Sequence, residues 1–165
     1  MKNYIAYGSN MDVYQMAVRC PEAKIAGVGM IDGYQLLFKG SKSGNYATIE
    51  PENDHKVPVL MWEISHNDER RLDMYEGYPS FYYKKIIRVR MNDGRQVDGM
   101  AYIMHEKREL GYPSLQYYGV LSAAYDKFNF DMDILAQGVI DSQPSKHCFT
   151  KNQKRNKMKG DYNME

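Results

Sequence analysis

Ile87, Val89 and Met91 alternate with Arg88 and Arg90, an apolar-polar period of two that predicts a half-buried strand over Tyr82 to Met91. Asn92-Asp93-Gly94 follows, a turn chemistry that favours positive φ and folds the chain back as a hairpin into a second strand, Gln96 to Met104. Stretches rich in β-branched, aromatic or methionine side chains predict further strands at Lys2 to Tyr7, Gly29 to Lys39, Tyr46 to Glu50 and Val57 to Ile64. Helical spacing is clearest from Ser114 onward, where Leu115, Tyr118, Leu121, Tyr125 and Phe128 recur. A second helix is expected at Ser65 to Tyr75, where Ser65 and Asp68 stand at capping-box spacing, and a short third over Met132 to Val139. Six strands with few helices, in no regular alternation, predict an α+β domain: a small closed or nearly closed mixed β-barrel with helices packed against it.

At 165 residues and 43% apolar content, the chain suits one domain with a real core. Its net charge of +1 conceals an asymmetry. From Pro144 onward there are six Lys/Arg against two acidic residues, which leaves 16 Lys/Arg against 19 Asp/Glu on residues 1–143. The domain is therefore expected to span residues 1–143, followed by a basic, nearly apolar-free tail over 144–165 that lacks the means to form a core. A body of net negative charge is not a nucleic-acid binder. Cys20 and Cys148 are too few for a disulfide framework, and the N-terminus has no long apolar run to serve as a signal peptide or membrane span. A reducing cytoplasm is the expected compartment.

Two stretches carry candidate chemistry. In Tyr4-Ile5-Ala6-Tyr7-Gly8-Ser9-Asn10-Met11 a short apolar strand runs into a Gly-Ser-Asn turn, which can aim several backbone N–H groups at a small anion. In Leu72-Asp73-Met74-Tyr75-Glu76-Gly77 a single carboxylate stands at a helix end, with Tyr78, Phe81 and Tyr82 close by in sequence. Such a setting removes water from Glu76 and raises its pKa from about 4.3 toward the range where it can both take and return a proton. Other chemistries lack their residues. His55, His66, His105 and His147 have no neighbours at metal-ligand spacing, so neither metal nor cofactor is expected. Ser9 has no local base and no nucleophile-elbow glycines, and Gly27-Val28-Gly29 lacks the rest of a dinucleotide fingerprint. Gly-Tyr-Pro-Ser occurs at Gly77 to Ser80 and again at Gly111 to Ser114, but the flanks differ, which marks shared turn chemistry and not duplication.

The Tyr7-Gly8-Ser9-Asn10 loop, the Glu76-Gly77 dipeptide, Tyr83 seven residues later, and Pro113-Ser114-Leu115-Gln116-Tyr117 opening a late helix occur in one order along the chain. In these motifs the chain resembles the γ-glutamylcyclotransferase-like superfamily, also called AIG2-like, from about Lys2 to about Leu135. The resemblance implies the same barrel fold and an enzyme that converts a small γ-glutamyl amide to 5-oxoproline plus a free amine or amino acid. It implies Glu76 as general acid and base, Tyr7, Gly8, Ser9 and Asn10 as the substrate-holding loop, and Tyr83 and Tyr117 as cavity residues bonded to substrate. The segment Tyr78-Pro79-Ser80-Phe81-Tyr82 is bulkier than the glycine-containing loop of the glutathione-pathway members, which leaves the amine portion open. A γ-glutamylamine or a protected larger amine is the alternative substrate. A non-catalytic small-molecule binding module with the same pocket is the alternative of another class.

Overall fold

Five strands close on themselves in this computed structural model, which describes residues 1–41 and 43–144. The strands are β1 (Lys2–Ala6), β2 (Lys24–Ser41), β3 (Gly44–Ile64), β4 (Tyr82–Met91) and β5 (Gln96–Met104), with a two-residue β6 (Glu109–Leu110). Around the ring the order is β3-β1-β5-β4-β2, and β2 pairs back onto β3. All these pairings are antiparallel except that of β1 with β5, so the barrel is closed and mixed, as the sequence predicted. The helices are α1 (Val13–Arg19), α2 (His66–Tyr75), α3 (Leu115–Lys127) and α4 (Met132–Asp141). The basic tail expected over 144–165 lies, beyond Pro144, outside the described residues.

Ring closure rests on a short seam. β2 meets β4 only at Gly29↔Met91 and Met30↔Arg90, reinforced by Asn92 N donating to Val28 O at 3.0 Å. The strands approach so closely that a Cβ on Gly29 would lie 2.6 Å from Val89 Cγ1 and 2.8 Å from the Arg90 carbonyl oxygen. A side chain cannot be accommodated there without moving backbone.

The differences from the sequence reading have local causes. β2 begins at Lys24 and not Gly29, because Gly27 sits at a register shift after Ile25 and continues the strand through a bulge. The two strands expected at Tyr46 to Glu50 and Val57 to Ile64 are one element, β3. Its pairing with β2 jumps from Asp32↔Lys56 to Tyr34↔Pro51, so residues 52–55 stand out of register and exposed, and their polar sequence reads as a break. On α3, Leu121 and Tyr125 are buried while Leu115 is 91% exposed, so the apolar face starts later than its spacing suggests.

What positions the site is the anchoring of α2. Ser65 caps it through a capping box with Asp68, and Gly77 ends it at φ +62, where Gly77 N and Tyr78 N reach back to the Met74 and Asp73 carbonyls. Glu69 accepts from Lys2 of β1 and Lys84 of β4, and Asp73 accepts from Lys84 and from the Tyr102 hydroxyl of β5 at 2.6 Å. Three strands of the ring thus hold one helix, and Glu76 follows at its C-terminal end.

The seam generates a contrast measurable by urea unfolding. Gly29→Ala is expected to lower stability by about 1–3 kcal/mol through overpacking. Gly119→Ala, in exposed α3 with nothing within 4 Å of the new Cβ, should be neutral or raise stability by up to about 1 kcal/mol. Equal effects of the two would mean that the seam is not the tight point of the ring.

Candidate active site

After β1 the chain passes through Tyr7 and Gly8 into a 3-10 turn, Ser9–Met11, and Asp12 then caps α1 by accepting from Tyr14 N and Gln15 N. The turn is tied to the barrel by Trp62, whose Nε1 donates to the Asn10 carbonyl at 3.1 Å. The Asn10 side chain is itself buried and fully engaged. Its Nδ2 donates to the Tyr4 hydroxyl at 2.7 Å and to Glu76 Oε1 at 2.8 Å, while its Oδ1 accepts from an Arg19 guanidinium nitrogen at 2.6 Å. This one amide joins the two stretches that the sequence singled out.

Glu76 is half-buried, with its carboxyl among protein atoms and Oε2 free of hydrogen bonds to the described residues. Burial pushes its pKa up from about 4.5 to about 7, against the opposing pull of the Asn10 hydrogen bond and the Arg19 charge. Its place at the C-terminal end of α2, the negative end of the helix dipole, acts in the same upward direction.

The carboxyl opens onto a cavity of about 400 Å³, within the usual range for small-molecule sites. Its walls include Tyr7, Gly8, Ser9 and Asn10 from the loop, Glu76 from α2 and Tyr117 from α3. Tyr82, one of the aromatics expected beside Glu76, and Tyr4, Tyr46 and Tyr102, which the sequence did not single out for the site, complete much of the lining. Burial raises the pKa of Tyr4, Tyr7, Tyr82, Tyr102 and Tyr117, so these five are neutral hydroxyls near pH 7. They divide by what they do with their protons. Tyr7 donates to the Tyr102 carbonyl, Tyr82 to the Ala47 carbonyl at 3.0 Å and Tyr102 to Asp73. Tyr4 accepts from Asn10, and Tyr117 accepts from Ala47 N at 3.2 Å, so both keep a proton to offer into the cavity.

Tyr83 is a correction. It does not line the cavity; its hydroxyl donates to Glu106 and its ring packs on His105. Neighbours on an extended strand point to opposite faces, and Tyr82 is the one that faces the cavity. Gly8 is required for a different reason than turn conformation. Its φ of −117 suits most residues, but a Cβ would lie 3.0 Å from the Tyr117 hydroxyl and 3.4 Å from Ala47 Cβ. Arg19 also escaped the sequence reading, and only its position one helix beyond the loop hinted at it. No three His, Cys, Asp or Glu side chains gather as a metal site among the described residues, and no described helix is long and apolar enough to cross a membrane.

Comparison with known proteins adds to this geometry. The family described as gamma-glutamyl cyclotransferase, AIG2-like, matches residues 4–123. Human gamma-glutamylcyclotransferase is 29% identical over 122 residues, covering 69% of this chain and 64% of that protein, and the mouse protein is 30% identical over 126 residues, covering 72% and 66%. The chain thus spans less than two thirds of the length of these relatives. In fold it is similar to a solved gamma-glutamyl cyclotransferase, with TM-score 0.76 at 21% identity over 96% of this chain and 99% of that one. It is also similar to an uncharacterized human protein, with TM-score 0.75 at 23% identity over 88% and 89%.

The raised pKa of Glu76 has a consequence for stability. With the folded value near 7 and the unfolded value near 4.5, proton binding favours the fold; that contribution is full below pH 4.5 and lost as pH rises through 7. Glu76→Gln removes the charge that is buried at high pH. The variant is expected to gain stability over the parent between pH 5 and pH 8.5 by at most about 3 kcal/mol, less as cavity water screens the carboxylate. Thermal unfolding at both pH values checks this, and a difference independent of pH would mean that Glu76 is not desolvated.

Proposed function

The chain belongs to the gamma-glutamyl cyclotransferase, AIG2-like family, and we propose that it converts a γ-glutamyl amide to 5-oxoproline and a free amine or amino acid. The observation that carries the proposal is a carboxylate with a pKa near 7, facing a tyrosine-lined cavity beside the Gly8-Ser9 turn.

The substrate brings its own nucleophile. Its α-amine attacks the γ-carbonyl carbon, the new C–N bond closes a five-membered lactam, and the original amide C–N bond breaks. Ring closure supplies effective concentration, so the protein needs no nucleophile of its own. Its tasks are to fold the glutamyl chain and to move protons: the attacking nitrogen, an ammonium at the start and a lactam N–H at the end, gives up two, and the departing nitrogen takes up two. Glu76 Oε2, facing the cavity, takes one proton from the α-ammonium and gives it to the departing nitrogen as the amide bond breaks; the second proton is shed from the ring nitrogen as the lactam forms and ends, through solvent, on the released amine, which leaves as an ammonium. Oε1 stays bonded to Asn10, which fixes the carboxyl plane. A pKa near 7 suits both halves of this transfer, since neither protonation state is strongly preferred at neutral pH.

The developing negative charge on the γ-oxygen, and the substrate carboxylate, need donors. The Gly8-Ser9 turn and the free hydroxyl protons of Tyr4 and Tyr117 supply them in this reading. Asn10 serves Glu76 and not the substrate, because both of its amide hydrogens are engaged within the protein. The amine portion would lie toward Met74, Tyr75 and Phe81, where the lining is largely apolar.

Incubation with a panel of γ-glutamyl amino acids and γ-glutamylamines, read by release of 5-oxoproline, tests the reaction and separates the two leaving-group classes. Glu76→Gln should lower the rate by about two to four decades while ligand binding persists, as removal of a general base does. Binding without turnover by the parent protein would favour the non-catalytic module. In the parent, kcat/KM should rise with pH through an apparent pKa near 7, and a profile flat from pH 5 to pH 9 would remove Glu76 from the mechanism. Gly8→Val should weaken 5-oxoproline binding, because its side chain displaces the Tyr117 hydroxyl. Unchanged affinity would mean that the turn is not part of the ligand cradle.

A further inference from the structure

Arg19 of α1 makes contacts that no ligand-binding role requires. One guanidinium nitrogen donates to Asn10 Oδ1 at 2.6 Å and to Ser9 Oγ at 3.3 Å, and the other donates to Gln15 Oε1. Its Cζ lies over the Tyr75 ring, 3.8 Å from the centroid, and Tyr75 is the residue before Glu76. A planar cation with fixed donors is thus wedged between the substrate loop and the end of α2. Neither lysine nor glutamine can make this set of contacts.

The chemistry of arginine decides what Asn10 can do. A guanidinium has donors and no acceptor, so the atom of Asn10 that meets it must be the carbonyl oxygen. The amide hydrogens are therefore forced toward Tyr4 and Glu76. With the amide reversed, a carbonyl oxygen would face the carboxylate, and the contact would become repulsive. We infer that Arg19 is a positioning residue that fixes the orientation of the Asn10 amide and, through it, the orientation and protonation of the Glu76 carboxyl. The inference deepens the proposed function and rests on it only for its catalytic meaning.

Its electrostatic side follows from the surroundings. The titratable groups facing Glu76 from other elements are Tyr4 of β1, Tyr7 after it, Tyr82 of β4, Tyr102 of β5 and Tyr117 of α3, together with Arg19 of α1. The tyrosines stay neutral to well above pH 9. Arg19 is the one cation of the group, and it opposes the upward push of burial on Glu76.

Titration of the Glu76 carboxyl by 13C NMR in protein labelled at glutamate carboxyls reads this directly and needs no substrate. The Glu76 signal is identified by its loss in Glu76→Gln. The parent midpoint is expected near pH 7, and Arg19→Met should move it up by about one unit, a tenfold change in the proton-binding constant, since both the opposing charge and the orienting donor are gone. Arg19→Lys, which keeps the charge without the fork, should fall between the two. Should Arg19→Met fail to fold, Arg19→Leu, which likewise has neither charge nor donor, takes its place with the same expectation. A midpoint in the Met or Leu variant equal to that of the parent overturns the inference. The result also separates the two proposals: turnover by Glu76→Gln would remove the acid-base reading, while the carboxyl titration would still decide the role of Arg19.

Discussion

A carboxylate withdrawn from water must find a donor, and at Glu76 the donor is the side chain of one asparagine. That hydrogen bond joins a turn near the N-terminus to the end of a helix 66 residues later. Much of the architecture around it acts to keep the two in reach. Trp62 of β3 holds the Asn10 carbonyl, Tyr4 of β1 holds its amide, and Lys2, Lys84 and Tyr102 hold α2. The anchors come from four of the five strands of the ring, β1, β3, β4 and β5, so barrel closure and site geometry are not separable.

The site also shows how one residue type can serve two ends. Five cavity tyrosines are buried hydroxyls with raised pKa values, and their difference lies only in the direction of their hydrogen bonds. Tyr7, Tyr82 and Tyr102 close gaps in the protein by donating to carbonyls or Asp73. Tyr4 and Tyr117 accept from N–H groups and keep their own protons. Aromatic walls raise the Glu76 pKa by excluding water, and the two free protons offset what those walls remove. A site arranged in this way is costly to the fold above pH 7, a common trade between stability and activity.

The elements were legible in the sequence wherever a local rule governed them. The capping box of Ser65 and Asp68, the hairpin at Asn92-Asp93-Gly94 and the helix end at Gly77 depend on neighbours within a few residues, and all three are present. What was not legible depends on distant partners. Residues 52–55 read as a loop because a long excursion from register and a strand break share the same polar composition. Leu115 looks like part of an apolar stripe, but the buried face of α3 is formed by Leu121, Ala124 and Tyr125 and leaves it exposed. Within the site, the loop residues, Glu76 and Tyr117 were found by their motifs, and the cavity gathers them. Arg19 and Tyr4 carry no motif of their own, and only the hydrogen bonds of Asn10 identify them. Tyr83, named by its motif, stands with its hydroxyl on Glu106, and its neighbour Tyr82 lines the cavity.

That pair imposes a rule of parity on the chain. Tyr82 and Lys84 stand two apart on β4 and share a face, so the same orientation that turns Tyr82 into the cavity delivers Lys84 to Glu69 and Asp73 of α2. A slip of one residue in the pairing of β4 with β5 would exchange every side chain across the strand. Tyr83 would enter the cavity, and the lysine that clamps α2 would leave it. The pairing with β5 therefore guards the site as well as the sheet, and the connection from α2 to β4 can change length only as far as that register is held, although none of its own residues makes that evident.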